Sequence, residues 1–165
     1  MSEQFFQTAN IVSAFVPVDM KTGANTGDWV SLADYHRCVA VLFKAAGTAG
    51  DDPVFRLQQA RDNIGSGVKD LNFTTVYSKV GTQTGIASFT RTTQTAATSY
   101  TDATSAENQA LIAVEINAAD LDVNGGFTHV LLSVADVGVN AQLGCAFYLM
   151  LDPRQQGKTL PSAIA

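Results

Sequence analysis

Between Arg37 and Ala46 the sequence RCVAVLFKAA alternates with a period of two, which constrains this chain more than any other feature. Successive side chains of an extended backbone point to opposite sides. Cys38, Ala40, Leu42 and Lys44 therefore share one face, and Val39, Val41, Phe43 and Ala45 the other. One face is strongly apolar and the second mostly so, as in a central strand. AGTAGDDP follows, bringing Gly47, Gly50, two aspartates and Pro53, residues that supply positive φ, local hydrogen bonds and fixed φ to turns. VFRLQQARD then sets Phe55, Leu57 and Gln59 against Val54, Arg56, Gln58 and Ala60, a pattern suited to a sheet with one wet face. The stretch from Gly27 to Asp62 thus predicts a β-hairpin.

The rest of the chain extends the pattern. DLNFTTVYSKVG places Leu71, Phe73, Thr75, Tyr77 and Lys79 on one side, and ASFTRTTQ carries Phe89 among β-favouring threonines. ALIAVEINAADL has a composition open to a helix. Its β-branched content, with Ile112, Val114 and Ile116 alternating against Leu111, Ala113 and Glu115, favours a strand ending near Asn117. AADLDVNGG reads as a turn or helical turn, FTHVLLSVADV as a buried strand, and CAFYLMLD as the last strand before Pro153. About eight or nine short strands separated by turn signals predict an all-β fold, an antiparallel β-sandwich of jelly-roll or immunoglobulin-like type. The 165 residues suit one domain, with an N-terminal arm over 1–14 and an extended C-terminal arm over 153–165. TQTGIASFTRTTQTAATSYTDATSAENQ, rich in Thr, Ser and Ala, reads either as a strand between polar loops or as a loop that grips a neighbouring subunit.

Only 15% of residues are charged, whereas 46% are hydrophobic, so this surface is poor in charge and is expected to have a partner. The net charge is −5 and Lys and Arg are scattered, so no basic stripe is available to displace counterions from a phosphate backbone; nucleic acid is not an expected partner. No apolar run approaches the roughly 20 residues that span a bilayer as a helix, and no membrane partner is expected. The N-terminus lacks the basic region of a secretory signal, pointing to synthesis in a cytoplasm. Cys38 and Cys145 each sit in an apolar strand-like run and are expected to be free core thiols rather than a disulfide.

No motif announces chemistry. Asp120, Asp122, Asn124 and Gly125 match the first half of a calcium loop, but the twelfth position is Leu131 where a bidentate Glu belongs, so a polar turn is expected. Asp51 and Asp52, adjacent beside Pro53, read as a solvated turn rather than an acid–base pair. His36 with Cys38, and His129 with Ser133, lack a nucleophile elbow or an orienting third residue. NIGSGVKD lacks phosphate-loop spacing. The expectation is no enzyme, no cofactor and no metal. Trp29, the single tryptophan, reads as a core anchor or as an interface hot spot. Phe5, Phe6 and Ile11 have no obvious place in a sandwich and are expected, with Trp29, to serve interaction.

TGANTGDWVSLADYHRCVAVLFKAAGTAGDDPVFRLQQA, followed by GVKDLNF, VYSKVG, GGFTHVLLSVADVG and YLMLDPR, resembles a group of small virion proteins of tailed bacteriophages encoded near the major capsid protein. The resemblance runs from about Asn25 to Arg154. It implies a capsid decoration, or cement, protein: a β-sandwich that forms homotrimers on the head surface, binds the major capsid protein and has no catalytic centre. The alternatives are a head–tail connector, tail-tube or fibre-base component, and, from another class, a ligand- or carbohydrate-binding sandwich.

Overall fold

A computed structural model describes residues 5–81, 88–101 and 108–155. After one helical turn, Phe5–Thr8, the chain forms β1 (Ala9–Asp19), β2 (Asn25–Thr26), β3 (Val30–Ser31), β4 (Tyr35–Lys44), β5 (Val54–Ala60) and β6 (Lys69–Asp70). It continues through β7 (Phe73–Val80), β8 (Thr90–Ala97), β9 (Ser99–Thr101), β10 (Ala110–Asn117), β11 (His129–Val134) and β12 (Leu143–Pro153). The β10 stretch is a strand, as its alternation requires, and two 3-10 turns, Ala118–Asp120 and Val123–Gly125, occupy the predicted turn region.

These strands make two antiparallel sheets. Sheet A has the order β1-β12-β4-β10-β7-β8. In sheet B, β11 and β5 pair centrally; β2 and β3 pair with β11, and β6 and β9 pair with β5. Both sheets contribute to one core. Sheet A supplies Cys38, Ala40 and Leu42, Ile112, Val114 and Ile116, and Ala146, Tyr148 and Met150; sheet B supplies Phe55, Leu57, Val130, Leu132 and Val134. Each fully buried Leu, Val or Phe among them contributes about 1.5–3 kcal/mol relative to exposure. The arrangement is compatible with a β-sandwich.

The structure departs from the sequence expectations at three places in the fold. The predicted hairpin is not one: β4 pairs with β10 and β12 in sheet A, whereas β5 pairs with β11 in sheet B. Residues 45–53 therefore cross between the sheets. In β7 the pairing with β8 shifts between Phe73 and Thr75. The extra residues of that shift lie on β8, and beyond it the buried series in β7 is Val76 and Ser78, so Thr75, Tyr77 and Lys79 turn away from the face that Phe73 buries. Residues 9–14, expected within an arm, begin β1: Ala9 to Ser13 pair in register with Leu151 to Phe147, and Val12 and Ala14 join the core. Pro17 fits because β1 lies at the sheet edge, where its missing N–H leaves no ladder unpaired. At the other terminus β12 ends at Pro153, and residues 156–165 of the expected arm lie outside the described residues, as do 82–87 and 102–107 of the Thr-rich segment.

Candidate interaction surface

The side chains of sheet A that do not enter the core form continuous rows on its outer face. Strand register aligns Ile11 with Leu149, Val39 and Glu115. The next row runs Ser13, Phe147, Val41, Ala113, Tyr77, Arg91, and a third runs Cys145, Phe43, Leu111, Lys79. Apolar side chains thus extend over β1, β12, β4, β10 and β7. Ile11 is 49% exposed, Phe43 40% and Leu143, two residues before Cys145 on β12, 59%. Val39, Leu111, Cys145, Phe147 and Leu149 are half-buried. Val41 and Ala113 are buried, though neither belongs to the inter-sheet core, and form a recessed floor between larger neighbours.

Ionic groups rim this band. Arg37 donates to Glu115 at 2.6 Å and to Asp152 at 2.5 Å, satisfying both carboxylates on one guanidinium. On the β7 side, Lys79 Nζ sits 4.6 Å from the centre of the Phe89 ring.

Of the residues expected to serve interaction, three gather beside this sheet. Phe5 and Phe6, 49% and 75% exposed, stack edge to face at 5.2 Å on the helical turn preceding β1, and Ile11 points outward from β1. Trp29 lies elsewhere. It is half-buried between β2 and β3, outside the core, close enough to Gly65 that a Cβ there would lie 3.1 Å from its indole nitrogen. The same loop exposes Ile64 at its tip.

Several of the groups considered for chemistry make structural contacts. Asp120 accepts from the Asn117 N–H at 2.8 Å, and Asp122 accepts from the Gly125 N–H at 3.0 Å and from Lys69 Nζ at 2.5 Å, so the calcium-like carboxylates are turned to backbone and lysine rather than to a shared point. Lys69, and to a lesser degree the Gly125 N–H, hold the Asp122 carboxyl below its ordinary range. Asp51 takes the Asn140 backbone and side-chain N–H at 3.0 and 2.9 Å, pinning two loops together. Burial pushes the Cys38 thiol up to about 12, the reverse of an activated thiolate. His129 and Ser133, four residues apart on one strand, are separated by about 13 Å of rise. Cys38 faces the core and Cys145 the outside of the same sheet; both are free.

Two open clefts lie at the Glu115–Asp120 end. One, of about 390 Å³, is lined by Leu57, Phe73, Glu115 and Ile116 among others; the second, of about 580 Å³, by His36, Asp120, Val123 and Arg154. The single aromatic lining the first, Phe73, is buried and packs edge to face with Phe55 at 6.0 Å.

The sequence pattern of β4 contained the signal for the apolar outer face: its second apolar side, Val39, Val41 and Phe43, is not covered by sheet B. No family model, curated protein or solved structure matches this chain.

Proposed function

We propose that this protein is a structural virion component, a capsid decoration protein that binds the major capsid protein lattice as a homotrimer and stabilises the phage head. In this reading the two sheets form a β-sandwich of jelly-roll or immunoglobulin-like type, and the protein works by contact rather than by catalysis. The observation that carries the proposal is the apolar outer face of sheet A, spanning five strands in a chain poor in charge. Monomers rarely expose more than a few hundred Å² of contiguous apolar surface, and larger patches mark protein contacts. The resemblance to small phage virion proteins supplies the kind of assembly, and the structural contacts of Asp51 and Asp120 are in keeping with a role without chemistry.

The test is a mass-spectrometric copy count on purified particles, with a comparison of the temperature at which decorated and undecorated heads release DNA. Hundreds of copies and a lower release temperature for bare heads are expected. About a dozen copies would assign a connector role instead, and absence from particles, or bare heads equally resistant to heat, would overturn the decoration reading.

A further inference from the structure

We infer that copies of this chain associate with one another through the outer face of sheet A, which becomes the buried seam of a homo-oligomer. The inference deepens the structural reading above by naming the face used for self-contact, and the contact itself is testable without a virion.

Three observations commit this face to a second copy of the chain. The first is its size. Five strands about 4.8 Å apart, and three side-chain rows about 6.8 Å apart, give a band of about 24 by 20 Å, or about 500 Å². Face to face, two such bands bury about 1,000 Å², the lower bound for a specific interface, and three turned towards a three-fold axis bury about 1,500 Å² in all. The second is its charge. The charged side chains in and beside the rows are Arg37, Lys79 and Arg91 against Glu115 and Asp152, three cations and two anions, whereas the whole chain carries −5. The excess negative charge thus lies on other surfaces, and this face, close to neutral, meets its copy with little net repulsion. Arg37 already satisfies Glu115 and Asp152, so the band requires no charged partner.

The third is its relief and composition. Phe147 and Phe43 stand beside the recessed Val41, and Tyr77 beside Ala113, so ridges and a floor of matching scale lie side by side. Seams between identical subunits are the more apolar class of interface, and aromatic side chains seated in such recesses carry most of the binding energy.

Cys145 is a built-in reporter, a half-buried thiol within the band, whereas Cys38 is fully buried beneath it. The experiment uses the purified full-length chain, followed by sedimentation and by the rate of maleimide labelling at Cys145. The wild type is expected to sediment at two or more chain masses, and labelling at Cys145 to slow as protein concentration rises. Phe43→Lys and Phe147→Glu, each pointing away from the core, are expected to weaken association at least about tenfold and to make labelling independent of concentration. Ile64→Lys, at a distant loop tip, is expected to change neither readout. A wild type that stays monomeric at every concentration, or folded variants that associate as the wild type does, would overturn the inference. Should both variants fail to fold, the concentration dependence of wild-type Cys145 labelling decides the matter. Protection of Cys145 on particles but not in concentrated solution would assign the face to the capsid, overturning self-contact while leaving the virion role in place.

Discussion

Leu132 and Tyr148 tie the two sheets together: the Leu132 N–H on β11 donates to the Tyr148 hydroxyl on β12 at 2.7 Å, and that hydroxyl donates to the Asp28 carbonyl at 3.1 Å. Tyr148 is completely buried, and its hydroxyl satisfies two backbone groups, of which the Leu132 N–H is itself buried. Removing the hydroxyl as Tyr148→Phe leaves the buried Leu132 N–H unpaired at nearly constant volume, and a loss of about 1–3 kcal/mol is expected. Denaturant unfolding checks this: the midpoint should fall with the slope unchanged, and an unaltered midpoint would refute the role.

Alkaline pH should act on the same core. Burial raises both the Tyr148 hydroxyl and the Cys38 thiol, the latter from 9.0 to about 12. The neutral forms are favoured in the folded state, so their contribution is complete below the unfolded pKa and lost as pH rises towards the folded one. For Cys38 that window runs from about pH 9 to about 12. Cys38→Ala should cost about 1 kcal/mol near neutrality through the cavity it leaves, and should shallow the fall in melting temperature above pH 9. An alkaline slope identical to the wild type's would count against this account.

Calcium should have no effect. The carboxylates of Asp120 and Asp122 are committed to the Asn117 N–H, the Gly125 N–H and Lys69, so neither added calcium nor a chelator should move the melting temperature. Lys69→Met should raise the Asp122 carboxyl towards its ordinary value, since Lys69 is the main cause of its depression. The pairing therefore stabilises the fold above the ordinary carboxylate pKa and is lost as pH falls below it. Titrating Asp122 by carboxyl NMR in both proteins provides the check.

Truncation should separate the helical turn from the strand behind it. Removing residues 1–8 takes away Phe5 and Phe6 but leaves every β1–β12 pair, so folding is expected to survive. Removing residues 1–14 also strips Val12 and Ala14 from the core and uncovers the β12 edge, and a large loss of stability is expected. Equal melting temperatures for the two truncations would contradict the placement of β1.

Much of this was legible in the sequence because a period of two survives whatever a strand pairs with. Ile112, Val114 and Ile116 in β10, and Phe55, Leu57 and Gln59 in β5, are buried as their alternation requires. Even Lys44 follows its register inward, where Nζ donates to the Asn108 carbonyl at 2.8 Å. Pairing partners were not legible, because Gly50 and Pro53 announce a change of direction without saying whether the chain rejoins its own sheet. The change of face in β7 was hidden for a related reason: an irregularity in pairing, here opposite Phe73–Thr75, shifts which side chains turn inward and leaves no composition behind. In β4 the two apolar sides were visible, but local alternation does not tell a side covered by the same molecule from one left outside it.

The position of β12 between β1 and β4 also governs when this chain can fold. β1 and β4 are joined only through β12, far later in the chain, so sheet A stays open between them until residues 143–153 have been made. Strand pairing over such separations is slow, because the loop must close before any contact rewards it. A nascent chain halted before Leu143 would display the apolar flanks and open edges of β1 and β4 together, the form most prone to aggregate. Assembly is thereby linked to synthesis of β12: only a polypeptide that already contains residues 143–153 owns an intact sheet A, and with it the surface through which it would join others.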